Sequence, residues 1–174
     1  MHTVSSRASV TVVLMGVSGA GKSTVLKVLV ERLGWPSAEA DDFHSAANVV
    51  KMSSGHPLTD EDRWPWLRAI AAWIGDREAA AENAVLTCSA LRRTYRDFLR
   101  AGHPSVCFAH LLVERAILEH RMERRRGHYM PASLLDSQLA TLEPLDEDEP
   151  GFIVAAAAPP ERIADDIAQR LHLS

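Results

Sequence analysis

Only two cysteines occur in the 174 residues, Cys88 and Cys107, and both lie in apolar, strand-like runs. That placement reads as two buried reduced thiols, ahead of a disulfide or redox pair. No apolar run reaches the roughly eighteen residues needed to cross a bilayer, and residues 1–9 lack the apolar core of a signal peptide. Positive charge is not in excess: a net charge of −4 gives no general reason to expect nucleic acid or an anionic membrane as partner. Gly/Ser-rich linkers and internal repeats are missing too, so one domain over 1–174 is expected, in the cytoplasm. What the chain does have is 47% apolar residues, enough at this length for a sizeable core and against disorder.

The organising stretch is Gly16-Val17-Ser18-Gly19-Ala20-Gly21-Lys22-Ser23, followed by Thr24, which fits G-x-x-x-x-G-K-[ST] at every fixed position. Glycines permit positive φ and let the main chain approach an anion closely. Successive N–H groups then form a nest at the positive end of the following helix. Lys22 is expected on the β- and γ-phosphates of a nucleotide, and the Ser23 hydroxyl at one Mg²⁺ position. The context agrees: Val10-Thr11-Val12-Val13-Leu14-Met15 precedes as a buried strand, and Leu26, Leu29, Val30 and Leu33 follow at helical spacing until Gly34 and Pro36.

Strand-like runs fall near 10–15, 37–40, 84–88, 106–112 and 151–155, with helical patterns between them. That alternation predicts an α/β fold in three layers, a five-stranded parallel sheet with helices on both faces. Ligands in such sheets sit beyond the carboxyl ends of the strands. After the second strand comes Glu39-Ala40-Asp41-Asp42-Phe43-His44. Three carboxylates in four positions suit phosphoryl transfer, one tied to Mg²⁺ and one orienting or deprotonating the attacking hydroxyl. A solvated turn before the helix after Ser45 is the plainer alternative. A continuing strand would point Glu39 and Asp41 one way and Asp42 the other.

Thr59 with Asp62 reads as a helix capping box. Lys51 and Arg63 are candidates for an anionic group on the acceptor, while Trp64, Trp66 and Trp73 read as core. The third strand runs into Ser89-Ala90-Leu91, where Ser89 would cap a helix or keep the cleft open. Arg92 and Arg93 face ligand or solvent, with solvent favoured. Arg121, Arg124, Arg125 and Arg126, then Gly127 and His128, suggest a lid over phosphates at about 122–140 rather than a mere complement to the helix dipole. Five acids within 143–149 read as a solvated loop.

Several of these runs together resemble gluconokinase of the small phosphate-loop type. They are residues 16–24, the acidic turn with His44, Pro57-Leu58-Thr59-Asp60-Glu61-Asp62-Arg63-Trp64-Pro65-Trp66-Leu67, Cys88-Ser89-Ala90-Leu91 with Tyr95-Arg96-Asp97, and Arg125-Arg126-Gly127-His128. The resemblance spans nearly the whole chain. It implies a fold like shikimate and nucleoside monophosphate kinases, with a substrate-binding segment at about 44–66. It implies transfer of the ATP γ-phosphoryl group to the 6-hydroxyl of D-gluconate, by a homodimer. Lys22, Asp41 and Arg125 would be catalytic, with Arg121 and Arg125 on the nucleotide alongside 16–24. Asp41, His44, Lys51, Arg63, Ser89 and His128 would bind the acceptor, and Ser23 and Asp41 the metal. Glu39 stands where the family more often has Asp, so either Glu39 or Asp41 can be the metal-linked carboxylate. The alternatives are another small-acceptor kinase, for shikimate, adenylyl sulfate or a nucleoside monophosphate, or a nucleotide-dependent switch. A switch calls for a strand ending in a metal-binding Asp, and the third strand ends at Ser89.

Overall fold

The five apolar runs form five parallel strands in a computed structural model that describes residues 8–124 and 132–173. They are β1 (Thr11–Met15), β2 (Ser37–Glu39), β3 (Ala84–Thr87), β4 (Val106–Leu112) and β5 (Gly151–Ala155), in the spatial order β2-β3-β1-β4-β5. In register, Val13 stands between Leu86 and Phe108. β1 and β3 are buried at every position, which is why they read as unbroken apolar runs rather than as alternation.

Between the strands run α1 (Lys22–Leu33), α2 (Ala46–Ser53), α3 (Asp60–Ala79), α4 (Arg93–Arg100), α5 (Arg115–Arg124), α6 (Ala132–Thr141) and α7 (Pro160–Arg170). One face of the sheet packs Val12, Leu14 and Leu111 against Leu29 of α1, Leu118 of α5, Leu135 of α6 and Ile167 of α7. The other packs Val13, Met15 and Phe108 against Leu67, Ile70 and Ile74 of α3 and Leu99 of α4. The three expected layers are therefore present. α1 stops at Gly34, in the left-handed region, and α3 starts at the Thr59–Asp62 capping box, as their sequences predict. Among the described residues no helix is long and apolar enough to cross a membrane. Both cysteines are free, Cys88 buried and Cys107 only half-buried.

The acidic stretch 143–149 departs from expectation. Rather than lying in solvent, it is docked on α4. The Arg93 guanidinium donates to Asp146 and Asp148, and its backbone N–H donates to Glu143 Oε2 at 2.8 Å. Arg96 Nε donates to Glu149 Oε1 at 2.7 Å, with both side chains 0% exposed. Burial pushes the Glu149 carboxyl up, but the Arg96 guanidinium and the Asp146 N–H outweigh it, holding the carboxyl below its usual range. Removing one partner of a buried pair leaves the other charge uncompensated. Glu149→Ala is therefore expected to cost about 3–5 kcal/mol in chemical denaturation.

His110 on β4 is 2% exposed and stands beside Met15, with no hydrogen-bond partner for Nδ1 among the described residues. Burial, then the charges of Arg96 and Lys22, lower its pKa from the ordinary 6.5. The unfolded chain thus takes up this proton first. The stability His110 contributes is present above about pH 6.5 and is lost as pH falls toward its folded value. Melting temperatures of His110→Phe between about pH 7 and 5 should decline less steeply than those of the wild type, since one such group contributes at most about 1.4 kcal/mol per pH unit.

Candidate active site

The phosphate loop leaves β1 at Gly16, with φ of 144°, where a Cβ would lie 2.9 Å from the Leu111 carbonyl oxygen. Gly21, at φ 93°, turns the chain into α1. Neither conformation suits a residue with a side chain. The N–H groups of the first turn of α1 have no acceptor within the helix and, with its dipole, make an anion site. Val17 and Ala20 are buried and anchor the loop, while Ser23 and Thr24 are exposed at its mouth. Lys22 Nζ donates to the carbonyls of Gly16 at 2.6 Å and Val17 at 3.2 Å. Arg121 Nη1 donates to Gly19 O at 2.9 Å and Nη2 to Ala156 O at 3.0 Å, so α5 ties the loop to the residue after β5. Gln138 of α6 grips Ser18 twice. It accepts from the Ser18 N–H at 2.7 Å, and its Nε2 donates to Ser18 Oγ at 3.0 Å.

The acidic turn is built differently from the expectation. β2 ends at Glu39 and the chain passes at once into a 3₁₀ turn, Ala40–Phe43, so strand alternation does not govern Asp41 and Asp42. Both are exposed. Trp66 holds this turn: Nε1 donates to Ala40 O at 2.6 Å, and the indole stacks on His44 at 4.4 Å between centroids. It is more than core filling. Buried Asn48 donates to Asp62 O at 3.0 Å and lies 3.4 Å from His44 Nδ1. Lys51 is committed to Asp62, at 2.5 Å. That bond and the Thr59 N–H hold the Asp62 carboxyl down at about 2, so Lys51 serves the start of α3 rather than an open cleft.

Beside the turn, Arg63 Nη1 donates to Tyr95 Oη at 2.9 Å, and Tyr95 donates to Asp60 Oδ1 at 2.5 Å. Arg63 and Arg92 both lie over the Tyr95 ring, at 5.6 and 6.0 Å from its centroid. Burial and the Asp60 bond raise the Tyr95 pKa against Arg63, so the phenol keeps its proton and donates. Ser89 does not cap a helix, since α4 begins only at Arg93 and has no side-chain cap. Residues 88–91 form a turn with Ala90 at φ 46°, a strained conformation for alanine, and Arg96 Nη1 fixes it by donating to Ala90 O at 2.8 Å. The Gly16 N–H donates to Ser89 O at 3.2 Å, joining turn and phosphate loop.

Electrostatics link these pieces. Burial drives the Cys88 thiol up to about 12, with the Ala90 N–H and the Lys22 charge opposing and Asp41 adding to the rise. Burial lowers the His44 pKa, with Asp41 opposing and Arg63 reinforcing. Asp41 thus lies within electrostatic reach of both Cys88 and His44. The fold brings residues 16–24, Asp41, His44, Arg63, Ser89 and Arg121 to the carboxyl edge of the sheet. Arg125 and His128, with the rest of 125–131 from the expected lid, lie outside the described residues. Trp66, Gln138, Tyr95 and Arg96 shape the site without having been expected there.

A family model described as an AAA domain matches residues 12–145. A gluconokinase of Gluconobacter oxydans (strain 621H) is 48% identical over 155 residues, covering 89% of this chain and 87% of its own. An unliganded sugar kinase from Janibacter sp. HTCC2649 superposes with a TM-score of 0.88 at 49% identity, covering 95% of this chain and 96% of its own. A gluconokinase from Sinorhizobium meliloti 1021 does so at 0.80 and 42% identity, covering 95% and 97%.

Proposed function

The chain belongs to the gluconokinase family, and on that premise we infer that it transfers the γ-phosphoryl group of ATP to the 6-hydroxyl of D-gluconate, yielding ADP and 6-phosphogluconate. The observation that carries the chemistry is a shared edge: β1, which runs into the phosphate loop, and β2, which runs into the acidic turn, both pair parallel with β3, so Lys22 and Asp41 follow strands that end side by side. In this reading the nest of N–H groups and Lys22 hold the triphosphate while the transferred group develops charge. Asp41, exposed and fixed through Ala40 by Trp66, accepts the proton of the attacking hydroxyl or orients it. Arg63, beside His44 and the Tyr95 hydroxyl, takes the gluconate carboxylate, for which a guanidinium fork is suited. Ser89 borders the cleft, and the resemblance adds Arg125 and His128.

Mg²⁺ fits the oxygen chemistry here. Among the described residues no three acids, histidines or cysteines converge to cage a metal. A magnesium ion carried by the nucleotide needs only one or two protein oxygens, which the Ser23 hydroxyl and the Asp41 carboxylate would supply. Bound there, it would neutralise charge on the phosphate oxygens. The same resemblance is the basis for proposing a homodimer in the cytoplasm, with 44–66 as the acceptor segment of a single domain and 122–140 as its lid.

An ADP-release assay over gluconate, similar sugar acids, shikimate, adenylyl sulfate and nucleoside monophosphates should single out gluconate. Preference for any monophosphate, or ATP left intact with every acceptor, refutes the assignment. Lys22→Ala should abolish transfer. Asp41→Asn should lower kcat by about 10²–10⁴-fold while ATP binding, measured by calorimetry, stays near the wild-type value. Full turnover by Asp41→Asn removes it from the chemistry.

A further inference from the structure

The phosphate loop and the turn at 88–91 are parts of one closed ring of hydrogen bonds. The Gly16 N–H donates to Ser89 O at 3.2 Å, and the Glu143 N–H donates to Leu91 O at 2.7 Å. From Glu143 the chain runs back into α6, where the Leu142 N–H donates to Gln138 O at 2.9 Å. The Gln138 carboxamide then returns to Ser18, accepting from its N–H at 2.7 Å and donating to its Oγ at 3.0 Å. Every other joint in the ring is backbone to backbone. The one between α6 and the loop depends on a side chain. α6 itself is anchored independently, by Leu135 and Leu139 against the core cluster that holds Val17 and Ala20 of the loop. Removing the carboxamide would therefore open the ring without unseating the helix.

We propose that Gln138 is a positioning residue for phosphoryl transfer. Resting on the function assigned above, its role is to fix the loop that holds the donor phosphates relative to the turn that lines the acceptor cleft. The paired contact suits this role. A carboxamide that accepts from a backbone N–H and donates to the adjacent hydroxyl sets both the position and the rotation of Ser18. In-line transfer is sensitive to such placement, because a misplacement of about 1 Å can cost on the order of a hundredfold in rate.

The test uses the full chain with Gln138→Met, which keeps the length and apolar stem of the side chain and loses both hydrogen bonds. Ser18→Ala removes only the hydroxyl joint. Gluconate turnover, affinity for a non-hydrolysable ATP analogue, and phosphorylated gluconate formed per ADP released are measured for each. Gln138→Met should lower kcat by about 10- to 100-fold and the product-to-ADP ratio with it, with nucleotide affinity changed by less than about threefold. Ser18→Ala should show a smaller loss of the same kind, and it carries the test alone if Gln138→Met does not fold. Unchanged kcat and product ratio in both variants overturns the proposal. So does tighter nucleotide binding by Gln138→Met at undiminished kcat, which would make the carboxamide a stand-in for a phosphate oxygen. A wild type that leaves gluconate untouched instead defeats the functional assignment itself.

Discussion

A loop that turns its N–H groups inward around an anion turns its carbonyls outward, and those carbonyls need donors of their own. Here two cations supply them. Lys22 caps Gly16 O and Val17 O, and Arg121 caps Gly19 O while reaching Ala156. The charges that a phosphate would meet are also the ones that hold the loop in shape. Preorganisation of this kind spares the site from rearranging when charge develops in the transition state.

The acceptor side answers to a different constraint, because Asp41 is exposed and close to other acids. Its place is set indirectly. The Trp66 indole holds the Ala40 carbonyl and stacks on His44, and Asn48 links the start of α3 to the same imidazole. Burial lowers the His44 pKa, with Asp41 opposing and Arg63 reinforcing, which disfavours a positive charge on the imidazole. The positive charge around Tyr95 comes from Arg63 and Arg92.

Much of this was legible in the amino-acid order. Buried parallel strands make unbroken β-branched runs, glycines mark the phosphate loop, and the Thr59–Asp62 box announces α3, all of them local signals. What escaped notice depends on partners far along the chain. Glu149 sits among four other acids within 143–149, and nothing nearby shows that Arg96 buries it. Gln138 lies on a mixed helical face, and its partner is 120 residues away. Trp66 reads as core because indoles usually are, and its hydrogen bond to Ala40 follows from the packing of α3 against the 3₁₀ turn. β2 stops at Glu39, one residue short of the apolar run at 37–40, and the 3₁₀ turn that follows removes the condition under which strand alternation would set the direction of Asp41.

The Arg96–Glu149 pair also bears on the order of assembly. Arg96 secures the strained Ala90 turn, yet among the described residues its charge is paired with Glu149, 53 positions later. During synthesis the phosphate loop and the acidic turn can both leave the ribosome while the wall of the cleft between them still lacks its anchor. The wall beside Ala90 is therefore complete once the segment carrying Glu149 has been made and has docked on α4.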